Sequence, residues 1–274
     1  MAALSTLLAA GLSSAHAGDL SSTSDSWLRV GKVFTSTNAS NNEVLVYDQT
    51  ETGLSLIART STGGQGTGAG LGSQGAVTLS QDGRFLFVVN AQSNSVSTFA
   101  LHGRELRLAS VVSSGGLGPI SVAEHDGLVY VLNAQGNGGV AGFRNVHGTL
   151  TAIPGAQGAL SVSTGTAPAQ VSFSSDGDKL IVTEKATSKL TSYRVKGDGL
   201  LSAPVVTASS GTTPFGFAVD KHDHLIVSEA FGGAANASAV SSYKLTEWST
   251  RPVLVSASVP VSYTHLTLPT ICSV

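Results

Sequence analysis

A single cysteine, Cys272, rules out any disulfide within this chain, so packing and hydrogen bonding must hold it together. Charge is scarce too. Asp, Glu, Lys and Arg make up 12% of the 274 residues and the net charge is -2, which leaves no field strong enough to select nucleic acid or an anionic membrane surface. The apolar run at the N-terminus is too short to span a bilayer as a stable anchor. Catalytic signatures are missing as well. There is no Gly-x-Ser-x-Gly elbow, no zinc-type cluster, no basic-aromatic stripe, and no nucleophile paired with a base.

What the chain does have is glycine, 32 residues of it, and a repeat. Four stretches carry nearly the same message: Ser80–Ala91, Asp126–Ala134, Ser175–Glu184 and Asp223–Ala230. Each is an apolar run that closes on a polar residue, Asn90, Asn133, Glu184 and Glu229 in turn. The closing residues lie 43, 51 and 45 positions apart. A period of this size with several strands per unit is the signature of a β-propeller blade. The apolar fraction of 41% argues against reading so much glycine as disorder.

The second repeat displays all four strands. Gly75–Ser80 reads as the innermost strand A, Asp82-Gly83 as the hairpin turn, and Arg84–Asn90 as a strand B buried between blades. Ser95–Leu101 follows as strand C and Leu106–Val112 as strand D. Later repeats keep this plan, with C strands near 140–143, 190–195 and 240–245 and D strands near 150–153, 201–207 and 252–258. The first repeat has B, C and D at 27–38, 43–48 and 54–60 but no strand A. The expectation is an all-β propeller of four-stranded blades, natively about seven, with about five present.

Its expected domain plan has three parts. Residues 1–17 read as a secretory signal peptide, since an apolar core is followed by Ala15-His16-Ala17. Residues 18–258 form the partial propeller. Residues 259–274 read as a non-native tail, because the run from Val259 to Val274 resembles translated sequencing-adapter DNA from metagenomic assemblies. Secretion or a periplasmic location follows from the signal, and the missing blades from the tail.

Phe87-Val88-Val89-Asn90, Tyr130-Val131-Leu132-Asn133 and Leu180-Ile181-Val182-Thr183-Glu184 resemble the Tyr-Val-Thr-Asn type of propeller repeat. Ser-x-Asp-Gly before the strand, Ser-Val-Ser-Thr-Phe after it, and the lead-ins Gly118-Pro119, Ala167-Pro168 and Thr213-Pro214 add to the match. Over about residues 27–258 the chain is similar to the lactonase-type seven-bladed propellers, a group that includes 6-phosphogluconolactonase-like and carboxymuconate-cyclase-like proteins. That resemblance implies chemistry by His, Glu and Arg at the channel mouth, with a Gly-Pro-His-Pro-His pattern leading into strand A. Here the lead-ins at 72–75, 118–121, 167–170 and 213–216 contain no histidine.

In a propeller, the residues that end each strand B ring one mouth: Asn38, Asn90, Asn133, Glu184 and Glu229. Gln74, Gln170 and Phe215 join them from the lead-in loops, and Lys185 sits beside Glu184. Glu184 and Glu229 are the catalytic candidates; the other seven are candidate ligand-binding residues. Such a ring suits a small polar molecule, or a hard cation such as Ca²⁺, which takes oxygen ligands. The competing structural reading is that these short polar side chains bond nearby backbone. His222-Asp223-His224 and His125 fall on A-to-B turns at the opposite face and read as solvated. Gly63–Gly72 lacks the strand-to-helix context of a phosphate loop and reads as a flexible blade connection able to cover the mouth. The leading expectation is a propeller that binds a small molecule or a protein, without demonstrable catalysis. Its alternative is a lactonase or lactone-cyclising enzyme acting on a sugar or muconate lactone, with glutamate or bound metal activating water.

Overall fold

Antiparallel sheets follow one another along the chain, one per repeat. The computed structural model describes residues 31–103 and 105–261. Blade 1 has three strands, β1 (Lys32–Ser36), β2 (Glu43–Thr50) and β3 (Gly53–Ser61). Blade 2 comprises β4 (Val77–Leu79), β5 (Phe85–Asn90), β6 (Ser95–His102) and β7 (Glu105–Ser113). In blade 3 the strands are β8 (Leu117–His125), β9 (Leu128–Gln135), β10 (Gly139–Val146) and β11 (Thr149–Gly158). Blade 4 holds β12 (Pro168–Phe173), β13 (Lys179–Glu184), β14 (Lys189–Arg194) and β15 (Val205–Ala208). Blade 5 is β16 (Pro214–Val219), β17 (His224–Glu229), β18 (Ala239–Thr246) and β19 (Ser249–Pro260). Each strand pairs with its sequence neighbour, so the blades are meanders with A innermost and D outermost.

The expected blade plan is therefore present, including the three-stranded first blade. Strand β19 runs through Val259 and Pro260, which pair with Val240 and Ala239. The segment read as a signal peptide, Trp27–Val30, and residues 262–274 lie outside the described residues. No helix among the described residues is long and apolar enough to cross a membrane.

Burial explains why the B strands read as unbroken apolar runs. In blade 4, all six residues of β13 are buried because both faces of the sheet meet a neighbour. Leu180 and Val182 pack with Tyr130, Leu132 and Val140 of blade 3, while Ile181 packs with Phe217, Leu225 and Val227 of blade 5. Blade 5 differs. Leu225 and Val227 face blade 4, and Ile226, on the other face by strand alternation, is 39% exposed.

Polar bonds also cross between neighbouring innermost strands. Thr78 donates to the Val122 carbonyl at 2.7 Å, the Val171 N–H donates to Ser121 Oγ at 3.1 Å, and the Gln170 amide pairs with both backbone groups of Phe217 at 2.8 and 3.0 Å. Each links one blade to the next and satisfies inner-strand backbone that no sheet partner reaches.

Candidate functional site

The B-end residues Asn38, Asn90, Asn133, Glu184 and Glu229 are all buried, from 0 to 3% exposed. In blades 2 to 5 a shared local geometry explains why. The loop leaving strand D of one blade passes over the B-end residue of the next, and in blades 2, 3 and 5 close packing there leaves no space for a Cβ. One added at Gly64 would meet Asn90 Cγ at 2.3 Å, at Gly116 Asn133 Cγ at 2.7 Å, and at Gly211 Glu229 Oε2 at 2.1 Å.

The donors and acceptors in each loop match the chemistry of the residue beneath. Glu184 Oε1 accepts from the Ser161 N–H at 2.9 Å and Thr191 Oγ1 at 2.6 Å. Its Oε2 accepts from Thr187 Oγ1 at 2.8 Å and from the Ser161 hydroxyl. Glu229 Oε1 accepts from the Gly211 N–H at 2.7 Å, Ser241 Oγ at 2.6 Å and Ser209 Oγ at 3.4 Å, and its Oε2 from Ser258 Oγ at 2.7 Å. Every partner is a donor, so an acceptor-only carboxylate fits both positions. All four carboxylate oxygens are engaged, and no hydrogen bond joins Glu184 to Glu229. Both side chains fasten one blade to the previous loop.

Asn90 is served from both sides. Its Oδ1 accepts from Asn42 Nδ2 at 2.9 Å and Thr62 Oγ1 at 2.7 Å, and its Nδ2 donates to Ser97 Oγ at 2.8 Å and Ser95 Oγ at 3.2 Å. Asn133 is not. Its Nδ2 donates to the carbonyls of Ser114 at 3.1 Å and Val131 at 3.5 Å, while its buried Oδ1 has no partner. Asn38, with a positive φ of 48°, holds the glycine-rich segment, its Nδ2 donating to Thr67 Oγ1 at 2.7 Å and the Ala69 carbonyl at 2.6 Å.

That segment is pinned rather than loose, a correction to the expectation of a flexible connection. Gly66 and Gly68 donate to the carbonyls of Ala39 and Asn38 at 2.8 and 2.7 Å, and Leu71 packs against two of the apolar clusters. Residues 72–75 then cross the inside of the mouth. Ser73 Oγ donates to the Ile120 carbonyl at 2.9 Å, and the Val122 N–H donates to the Gly75 carbonyl at 2.7 Å, both on blade 3. The Gln74 N–H donates to the Ala169 carbonyl of blade 4 at 2.9 Å, and the Gln74 side chain lies against Gly216 of blade 5, where an added Cβ would be 3.0 Å from its Cγ.

Lys185 completes this arrangement. Its Nζ lies 5.1 Å from the centre of the Phe215 ring and donates to the Gly72 carbonyl. No carboxylate pairs with it among the described residues. Burial pushes its ammonium below the usual lysine range. The structure thus brings Lys185 onto Phe215, with the Gln74 side chain against the next residue, Gly216. It commits the Gln170 amide to Phe217, and it turns Glu184 away into its loop contacts.

No three His, Cys, Asp or Glu side chains among the described residues group as metal ligands. On the opposite face, His224 Nδ1 bonds Asp220 Oδ2 at 2.9 Å on an exposed turn. His125 is no solvated turn residue: its ring packs 5.5 Å from that of Phe173, and an added Cβ at Gly177 would strike it at 2.2 Å. Sequence reasoning had no signal for this wedge, because the ring and its socket belong to different blades.

Comparison with known proteins bears on the whole chain. A search of curated protein sequences returns no match. Among solved structures, a Lactobacillus plantarum protein superimposes with a TM-score of 0.66 at 18% identity, over 84% of this chain and 68% of that one. A Pseudomonas aeruginosa periplasmic gluconolactonase gives 0.62 at 16%, over 85% and 68%. A putative 6-phosphogluconolactonase from Bacteroides fragilis gives 0.57 at 15%, over 84% and 82%. At these identities the likeness shows the fold. A family model described as a lactonase, 7-bladed β-propeller, matches residues 31–144 and 120–265. With five sequential blades built on those residues, the chain belongs to the seven-bladed lactonase β-propeller family.

Proposed function

We propose that this protein is a secreted or periplasmic propeller that binds a small carboxylate-bearing molecule, of the sugar-acid type, at Lys185, Phe215 and Gln74. The observation that carries this reading is the half-buried Lys185 ammonium, which has a carbonyl and a ring for company and no carboxylate. A cation partly stripped of water gains most from an anion that replaces the lost hydration. Phe215 offers an apolar wall and Gln74 an amide for hydroxyl groups. The N-terminal Ala-x-Ala pattern supports export.

Titration calorimetry with gluconate tests the reading. Lys185→Ala should weaken binding at least about tenfold, the scale of one charge-assisted hydrogen bond. Binding should fade as pH rises toward the ordinary lysine range, beginning below 10.5, because the folded ammonium releases its proton early. Equal affinity in wild type and Lys185→Ala would sink the proposal.

Family membership favours a second reading, opening of a sugar or muconate lactone at the same mouth. The Lys185 ammonium would polarise the lactone carbonyl, and Glu184, one residue away, or a bound metal would activate water. This route requires Glu184 to leave its four donors. A pH-stat assay with gluconolactone separates the two: turnover above the spontaneous rate, lost in Glu184→Gln while gluconate binding survives, establishes the enzyme.

A further inference from the structure

A second site emerges from the one B-end residue whose hydrogen bonding is incomplete. In blades 2, 4 and 5, the strand C residue two pairs in from the B-end residue is a hydroxyl: Ser97 opposite Val88, Thr191 opposite Val182, and Ser241 opposite Val227. Each bonds the B-end side chain of its own blade, at 2.8, 2.6 and 2.6 Å. In blade 3 the same register position, opposite Val131, is Ala141. The Asn133 amide cannot compensate by flipping. The carbonyls of Ser114 and Val131 accept only, so they hold the NH₂ group and leave Oδ1 as the orphan.

Asn133 lines an open cleft of about 500 Å³ on the mouth face. Its walls are Gln135 at the end of β9, Asn137 from the β9–β10 loop, Gln157 near the end of β11, Leu117, and a run of glycines including Gly116 and Gly138. Lys185 and Phe215 do not line it, and neither does any charged residue. Of the three residues with an unpartnered buried side-chain atom among the described residues, Asn133 alone lines this cleft. The amides of Gln135, Asn137 and Gln157 also make no side-chain hydrogen bond among the described residues. Three amides with unspent donors and acceptors, together with the Asn133 Oδ1 acceptor and an exposed Leu117, make a surface without charge preference. An amide offers both a donor and an acceptor, as a hydroxyl does. The volume suits one or two sugar rings, and a ligand hydroxyl would draw Oδ1 outward by a turn about the soft terminal torsion of Asn133, in exchange for the Nδ2 bonds at 3.1 and 3.5 Å.

We infer that this cleft, apart from the Lys185 mouth, is a binding site for neutral, hydroxyl-rich ligands of the carbohydrate class. The test is saturation-transfer NMR with methyl glucoside, a neutral glycoside that is neither an acid nor a lactone. Wild-type protein should show transfer to the glycoside. Gln157→Ala, a change at an exposed side chain, should weaken binding about fivefold. Ala141→Ser, which gives Oδ1 an internal donor without touching the cleft wall, should weaken it similarly. Lys185→Ala should leave it unchanged, which keeps this site's failure distinct from failure at the mouth. Absence of transfer in wild type, undiminished binding in both cleft variants, or loss on Lys185→Ala or on adding gluconate would each overturn the inference.

Discussion

Asn90 and Asn133 close the same strand in adjacent blades, and the chain approaches both through nearly the same residues, Phe-Val-Val-Asn-Ala-Gln and Tyr-Val-Leu-Asn-Ala-Gln. Their fates differ. Asn90 spends its donors and acceptor on Asn42, Thr62, Ser95 and Ser97 and becomes a fastener between blades. Asn133 lacks the strand C hydroxyl and keeps an acceptor unspent beside a cleft. The lesson is that identity at a ring position does not decide its role; the register partners of the neighbouring strand do. Glu184 and Glu229 extend the comparison, since a carboxylate appears where every partner donates.

The largest effect should come from emptying the saturated positions. Glu184→Ala or Glu229→Ala leaves several buried donors without acceptors and should cost about 3 kcal/mol, measured by urea unfolding. The Gln variants, which keep one acceptor, should cost roughly half as much. If both Ala variants melt like wild type, the fastening role is wrong.

Next in size is the contrast between the asparagines. Asn90→Leu strands four hydrogen-bonding partners and should lose about 2–3 kcal/mol, while Asn133→Leu also removes an orphan acceptor and should lose about 1 kcal/mol or less. Equal losses would break the comparison. Ala141→Ser should do the reverse and stabilise by up to about 1 kcal/mol, provided the hydroxyl reaches Oδ1. A neutral or negative change there would show that blade 3 does not accept the hydroxyl its neighbours use.

The smallest effect concerns pH. A hydrogen bond from Ser80, then one from the Arg84 N–H, lowers Asp82 to about 2. Burial pushes Asp176 up, yet bonds from Ser174 and the Asp178 N–H outweigh it and also leave it at about 2. Both folded values lie below the ordinary 3.8, so their stabilisation is full above pH 4 and lost as pH falls toward 2. The melting temperature should therefore drop across that window, and Asp82→Asn should flatten the drop slightly. Both groups sit at A-to-B turns away from the mouth, so gluconate binding above pH 4 should not follow.

Much of this protein was legible in its sequence. The apolar runs closing on Asn90, Asn133, Glu184 and Glu229 marked the B strands of blades 2 to 5, because a strand pressed between neighbouring blades needs apolar residues throughout. Turn residues such as Gly83 and Gly127 marked the hairpins, and the missing strand A left blade 1 with three strands. Those signals are local, set within a dozen residues by strand alternation and turn geometry. Tertiary structure alone decided which of the candidate residues meet. Lys185 meets Gly72 across 113 residues, Gln74 reaches blades 4 and 5, and Asn133 Oδ1 goes unpartnered where the neighbouring strand carries an alanine. Such pairings depend on which surfaces the stacked blades press together, and neither spacing nor composition carries that information.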